Sequence, residues 1–228
     1  MPPTWITAFL DFPTGSWENG VRFWRDVTAS GLSPVRGADG EFATLLPATG
    51  EPFLRVQRTG ADRPGIHLDL HGAEDHWEVR TSPGGFVFCV NVPAGGERPP
   101  PQAWPGRHTS LVDQVCLDIP PDAYDAECAY WADLTGWELA PTSAPYMRQL
   151  VRPAGMPLRI LLQRRDEGSG PVTAHLDIAT TDREAEVARH VALGAVVDGG
   201  GARWTRMLDP VGMVYCLTDR DPVTGLLP

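Results

Sequence analysis

The feature that most constrains this chain is a helical stripe that occurs twice. Trp17, Val21, Trp24 and Val27 reappear, 107 residues on, as Tyr124, Cys128, Trp131 and Leu134. Steps of three and four put each set on one face of a helix. The tripeptides Asp26–Thr28 and Asp133–Thr135 fall in the same register without a gap, so chemistry and spacing repeat together, the mark of a duplication. Two further pairs extend the match: HLDL at 67–70 answers HLDI at 175–178, and SPGGFVFCV ending at Val90 answers DPVGMVYCL ending at Leu217. The second half is itself doubled, with two successive runs of strand, helix and three strands.

Alternation predicts a first strand at Trp5–Phe12, with Thr7, Phe9 and Asp11 on one face. A helix follows, ended by Gly31 and Pro34. Further strands are expected at Phe42–Leu46, Phe53–Gln57, Gly65–His71, Trp77–Thr81 and Phe86–Val92. No helix fits between His71 and Trp77, so the first half is a shortened copy. In the second half strands are expected at Val112–Ile119, Trp137–Ala140, Met147–Arg152, Leu158–Gln163 and Thr173–Ile178. A capping box from Thr181 to Glu184 should start a helix with Val187, Ala188, Val191 and Ala192 inward, which Gly194 ends. Strands at Val196–Asp198, Trp204–Met207 and Met213–Thr218 complete the pattern. The fold class is α+β, with a shortened domain at 1–95, a Pro- and Gly-rich connector at 96–108, a complete domain at 109–228, and each half packed separately.

A formal charge of -10 and a pI near 5.0, with no block of basic residues, argue against nucleic acid as a partner. No apolar run approaches the roughly 18 residues of a membrane helix, and the N-terminal residues have neither a basic head nor a cleavage site, so a soluble cytoplasmic protein is expected. Cys89, Cys116, Cys128 and Cys216 form no CxxC pair and read as reduced, buried thiols. Gly199–Gly201 has no nucleotide-binding spacing and reads as a tight connection.

The HLD strand, the helix ending in VALG, the RWTRMLDPVG stretch and the apolar strand after it resemble the glyoxalase/bleomycin-resistance/extradiol-dioxygenase superfamily, known as the vicinal oxygen chelate group. The resemblance implies tandem glyoxalase-like domains, each made of paired βαβββ modules curled around a cavity. It also implies metal ligands on the first and fourth strands of each module. Those positions are Gln114, Gln163, His175 and Cys216 in the second half, and Thr7, Gln57, His67 and Cys89 in the first. None is a carboxylate, so neither metal nor other cofactor is expected.

His175 and Asp177 share a strand face and are the candidate acid/base pair; the bland alternative has His175 donating to a carbonyl and Asp177 capping a turn. His67, Asp69 and His71 share another face, which either lines a cavity or forms an exposed edge. Gln114, Gln163, Trp204 and Cys216 complete the candidate ligand-binding set with His67 and Asp69, the indole of Trp204 either stacking on a planar ligand or packing in the core. Trp24 and Trp131 are core residues. The leading reading is a metal-independent protein that binds a small organic molecule, by sequestration or with positioning and proton transfer, and self-association into a homodimer is allowed for. The alternatives are a metal-dependent lyase, isomerase or dioxygenase, and a non-catalytic interaction scaffold.

Overall fold

The computed structural model describes residues 2–72 and 74–228. The first module comprises β1 (Trp5–Pro13), α1 (Trp17–Thr28), β2 (Gly31–Leu32), β3 (Phe42–Leu46) and β4 (Leu54–Thr59). The second has three strands, β5 (Gly65–His71), β6 (Glu78–Thr81) and β7 (Val87–Asn91), with no helix among the described residues. After β8 (Gln102–Ala103), the third is β9 (Thr109–Ile119), α2 (Tyr124–Thr135), β10 (Leu139–Pro141), β11 (Met147–Leu150) and β12 (Arg159–Arg164). The fourth is β13 (Thr173–Thr180), α3 (Arg183–Ala192), β14 (Val196–Gly201), β15 (Trp204–Leu208) and β16 (Val214–Thr218). The fold is thus α+β, its first half shortened as expected. β9 begins at Thr109 rather than Val112 because the connector contributes β8, which pairs with Thr109 and Ser110.

All strands of one sheet lie in the first half of the chain and all strands of the other in the second. Packing divides the chain differently. One compact unit holds the N-terminal segment through Phe9, Ile66–Arg98 and Gln114–Ala174; the other holds Leu10–Gly65, Pro99–Asp113 and His175–Pro228. Each unit therefore takes elements from both halves, and β1, β5, β9 and β13 each contribute residues to both.

In the first unit α2 lies on strands of the other half. The indole of Trp131 packs against Phe88 at 5.1 Å and Phe86 at 6.0 Å, and its N–H donates to buried Glu127 at 2.8 Å. The other carboxylate oxygen of Glu127 accepts from the Gly84 amide. In the second unit α1 does the same for β16. Trp24 meets Tyr215 at 5.4 Å and its N–H donates to Asp209 at 3.0 Å. Both indoles are fully buried, so a carboxylate acceptor at each removes the penalty of an unsatisfied N–H. The repeated Asp-x-Thr also has a structural cause. Thr28 and Thr135 each donate to the carbonyl of the tryptophan four residues back at 2.6 Å, closing the last turn of the helix. The next residue takes left-handed geometry in both copies: Gly136 with φ 66°, and Ala29 with φ 49°, so α1 ends before Gly31.

α3 departs from expectation twice. Its N-cap is Asp182, whose carboxylate accepts from the Ala185 amide at 3.0 Å, while Thr181 accepts from the Thr109 amide instead of forming the capping box. The face expected inside is outside: Ala188, Val191 and Ala192 are exposed, and Glu186 and His190 are fully buried. The reason is a charged network. Glu186 accepts from Arg189 at 2.8 and 2.9 Å and meets His108 at 2.8 Å and His190 at 3.2 Å. Arg189 also lies 3.5 Å over the Trp104 ring and donates to the Val27 carbonyl at the end of α1. Charges so paired can be buried, and they turn the helix around.

This network predicts acid lability. Burial alone would raise the Glu186 pKa, but Arg189 and His190 hold it well below the usual carboxylate range. Burial pushes His190 down, so it stays neutral between Tyr215 at 2.8 Å and Glu186. A depressed histidine pKa means that the unfolded chain takes up a proton first. His190 therefore removes stability as pH falls below about 6.5, and Glu186 adds to the loss below about 4.3, with a slope of at most about 1.4 kcal/mol per pH unit per group. In urea unfolding between pH 7 and pH 5, His190→Gln should show a shallower decline than the parent protein. Equal slopes would remove His190 from the account.

The glycine run is also not a connection. Gly199–Gly201 are strand residues of β14. A β-carbon on Gly201 would sit 2.6 Å from the Trp204 indole nitrogen, so glycine is what lets the ring lie on that strand.

Candidate functional site

In the second unit, β13 and β16 run parallel with Asp177 paired to Cys216. Period-two geometry puts His175 and Asp177 on one face of β13, and Cys216 faces the same way from the neighbouring strand. The ligand atoms of these three residues lie within 4.8 Å of one another, and all three are buried. His175 Nε2 is 3.4 Å from Asp177 Oδ1. Residues two apart on a strand do meet here, by bending toward each other.

A guanidinium completes the cluster. Arg220, just past β16, donates to Asp177 at 3.1 Å and to both oxygens of Asp113 at 3.2 and 3.3 Å. Burial opposes its charge, but the two aspartates more than compensate and hold it protonated. Burial would likewise raise Asp177; His175 and Arg220 outweigh it and keep the group an anion. With His175 neutral, the four groups carry a net charge of about −1, from two carboxylates and one guanidinium. Sequence reasoning missed Asp113 and Arg220. The signal for Asp113 was present: a carboxylate inside the apolar run LVDQVCLDI needs a cation once buried. Its partner lies beyond the last strand, where no periodicity points.

Trp204 pairs with Thr218, and Arg206 with Cys216, across β15 and β16. Directly opposed residues share a sheet face, so Trp204 stands on the His175 side, 39% exposed. Trp77, at 62%, is even more open, and core packing accounts for neither.

The other candidates belong to the first unit. Gln163 donates to Asp118 at 3.2 Å and lies 3.8 Å from the Cys116 thiol, joining β12 to β9. Gln114 is buried on β9 beside Arg159 in the register of β12. His67 and Asp69 on β5 come together with Cys89 on β7, their ligand atoms within 4.8 Å of one another. Asp69 and His71 are buried, because β5 lies between β1 and β7 rather than at an edge. His71 turns to Thr7 Oγ1 at 3.1 Å and away from the triad.

A separate recess of about 90 Å³ in the second unit is walled by connector prolines Pro99–Pro101 with Leu45, Phe53 and Ile178. Its lining is mostly apolar, with Thr28, Ser30, Gln102 and Ser110 adding polar groups.

In three of the four modules the first strand lies parallel beside the last, β5 with β7, β9 with β12 and β13 with β16. That arrangement, in two sheets built from doubled modules, is the one that the sequence resemblance implies. Residues 114–218, a little under half of the chain, match the family described as a glyoxalase-like domain. Solved structures agree in fold. A Mn(II)-bound glyoxalase from Novosphingobium aromaticivorans superposes with a TM-score of 0.65 at 18% identity, over 100% of this chain and 87% of that one. An extradiol ring-cleaving dioxygenase from B. fuscum gives 0.61 at 14%, over 96% and 73%. The 2,2',3-trihydroxybiphenyl 1,2-dioxygenase from Sphingomonas wittichii strain RW1 gives 0.58 at 13%, over 100% and 95%. Among curated proteins none matches in sequence. No helix among the described residues is long and apolar enough to cross a membrane.

A metal of the kind bound by the glyoxalase neighbour fits the second unit poorly. Manganese prefers oxygen ligands, whereas His175, Asp177 and Cys216 offer one carboxylate already paired to Arg220, one imidazole and a buried thiol.

Proposed function

We propose that the second unit binds a small organic molecule on the His175 face of β13 and β16 without a metal, and that His175 with Asp177 orients it and exchanges a proton with it. The observation that carries this reading is the buried contact of His175 with Asp177 at 3.4 Å, a carboxylate that Arg220 helps hold ionised. Asp177 stays ionised at neutral pH and favours the imidazolium of His175 when it accepts a proton. A histidine so placed serves as general acid or base. Trp204 offers an aromatic surface on the same face, and stacking of a planar group on it would contribute about 0.5–1.5 kcal/mol.

The test is tryptophan fluorescence during titration with planar phenols and aromatic carboxylic acids. A saturable change is expected with at least one of them. His175→Ala should weaken it at least about tenfold, equivalent to about 1.4 kcal/mol. A chelator should leave it intact. If no probe saturates, or the chelator abolishes binding, the reading is wrong.

A further inference from the structure

The second and fourth modules end differently. In the fourth the strands run β13, β16, β15, β14, whereas the second stops at β5, β7, β6, so β6 is a bare edge where β15 carries β14. The register makes the match residue by residue. Glu78 pairs with Val90 as Thr205 pairs with Leu217, and Val90 and Leu217 are equivalent in sequence, so Trp77 holds the place of Trp204. Trp204 stands opposite Gly201 of β14 and its ring lies on that glycine. Trp77 has no strand on that side among the described residues and is 62% exposed, against 39% for Trp204.

The edge is also left able to pair. The Ser82 amide donates to the Phe86 carbonyl at 2.9 Å, and antiparallel partners alternate between bonded and unbonded. Glu78 and Arg80 therefore bond to β7, while Val79 and Thr81 turn their backbone groups outward. Sheet edges are protected by brevity, proline or a bulge. The other three sheet ends have such devices: β2 has two residues, β10 ends on Pro141, and β14 shifts register between Val197 and Gly199 before its glycine run. β6 has an unbroken register and no proline, and its two charges are of opposite sign.

We propose that β6 pairs antiparallel with β6 of a second copy of this chain, about a two-fold axis through Val79, so that each copy supplies the strand the other lacks. Charge is what selects a second copy. Read antiparallel about Val79, Glu78-Val79-Arg80 is its own complement: Glu78 stands opposite the partner's Arg80, and Arg80 opposite the partner's Glu78. Arg80 already meets its own Glu78 at 2.7 Å, so four charges alternate in sign around the axis. The same register sets the outward backbone groups of Val79 against those of the partner's Val79. It also brings Trp77 opposite the partner's Thr81, as Trp204 is opposite Gly201. One strand pair of this length buries less than the roughly 1,200 Å² of a standard stable interface, so the dimer forms reversibly.

The experiment is sedimentation velocity of the full-length protein over a concentration series, with hydrogen exchange at both ends of it. A shift from monomer to dimer is expected as concentration rises, with the Val79 and Thr81 amides gaining protection. Arg80→Glu sets like charges opposite each other and should sediment as a monomer throughout. Adding Glu78→Arg to it restores opposite charges in the same register and should restore the dimer. Val79→Pro removes an outward N–H that the β7 ladder does not use and should also give a monomer. Circular dichroism of each variant establishes that it is folded. The proposal is overturned if the parent stays monomeric at every concentration, which would leave the edge to a different protein. It is equally overturned if folded Arg80→Glu and Val79→Pro still dimerise, or if the double charge swap does not recover what Arg80→Glu loses. The fluorescence titration with phenols and acids reports on the other unit and is independent of these results.

Discussion

Replacing Arg220 with leucine should cost about 3–5 kcal/mol in urea unfolding at pH 7, because it strands two buried aspartates with no cation between them. Asp113 is fully buried and Asp177 nearly so, and the side chain of Arg220 is 12% exposed, so water cannot take over the lost pairing. In the parent protein the depressed pKa of Asp177 contributes stability above the unfolded value near 3.9, which is lost as pH falls through the folded one. In the leucine variant the sign reverses: without the guanidinium the two buried carboxylates are raised, protonate more readily when folded, and the deficit shrinks as the solution is acidified. Adding Asp113→Asn and Asp177→Asn should recover at least half of the loss at pH 7. A deficit below about 1 kcal/mol, or one independent of pH, would mean that the guanidinium is not the counter-charge of this site.

Truncating Trp24 to alanine should cost a similar amount, about 3–5 kcal/mol, with the damage appearing far away in sequence. The indole is fully buried, packs on Tyr215 and donates to Asp209, so removal leaves a cavity and takes the indole donor from the buried Asp209 carboxylate. Burial already raises the Asp209 pKa, against the amides of Met213 and Val211 and the indole that lower it; losing the indole raises it further. Hydrogen exchange in Trp24→Ala should accelerate in Val214–Thr218 and not only in α1. Exchange confined to α1 would show that this helix does not support β16. Trp131→Ala makes the matching case in the first unit, with loss of protection expected at Val87–Asn91 through Phe88.

Much of this was legible in one dimension because the signals were local. Trp24 and Trp131 announce two equivalent buried stripes, and Phe42–Leu46 and Gly65–His71 have the strand limits their alternation implies. Thr28 and Thr135 repeat because each closes the helix that precedes it. α3 was misread for an opposite reason. Val187, Ala188, Val191 and Ala192 form a good apolar stripe, but periodicity weighs hydrophobicity and cannot count distant counter-charges. Arg189 neutralises Glu186 and His108 lies within bonding distance of it, and that pairing decides which side is buried. At the candidate site, His175, Asp177 and Cys216 could be placed on neighbouring strands from their pattern, whereas Arg220 could not, since its partners are 107 and 43 residues away.

The sequence by itself determined the doubled modules, the shortened second quarter, the strand faces and the matching His, Asp and Cys in each half, since all of these follow from spacing along the backbone. The tertiary structure alone decided that α1 covers a strand of the second half and α2 strands of the first, and that one aspartate meets an arginine while its counterpart meets an amide. Contacts of that kind depend on which buried surfaces and charges satisfy one another across long stretches of chain, and no local pattern carries that information.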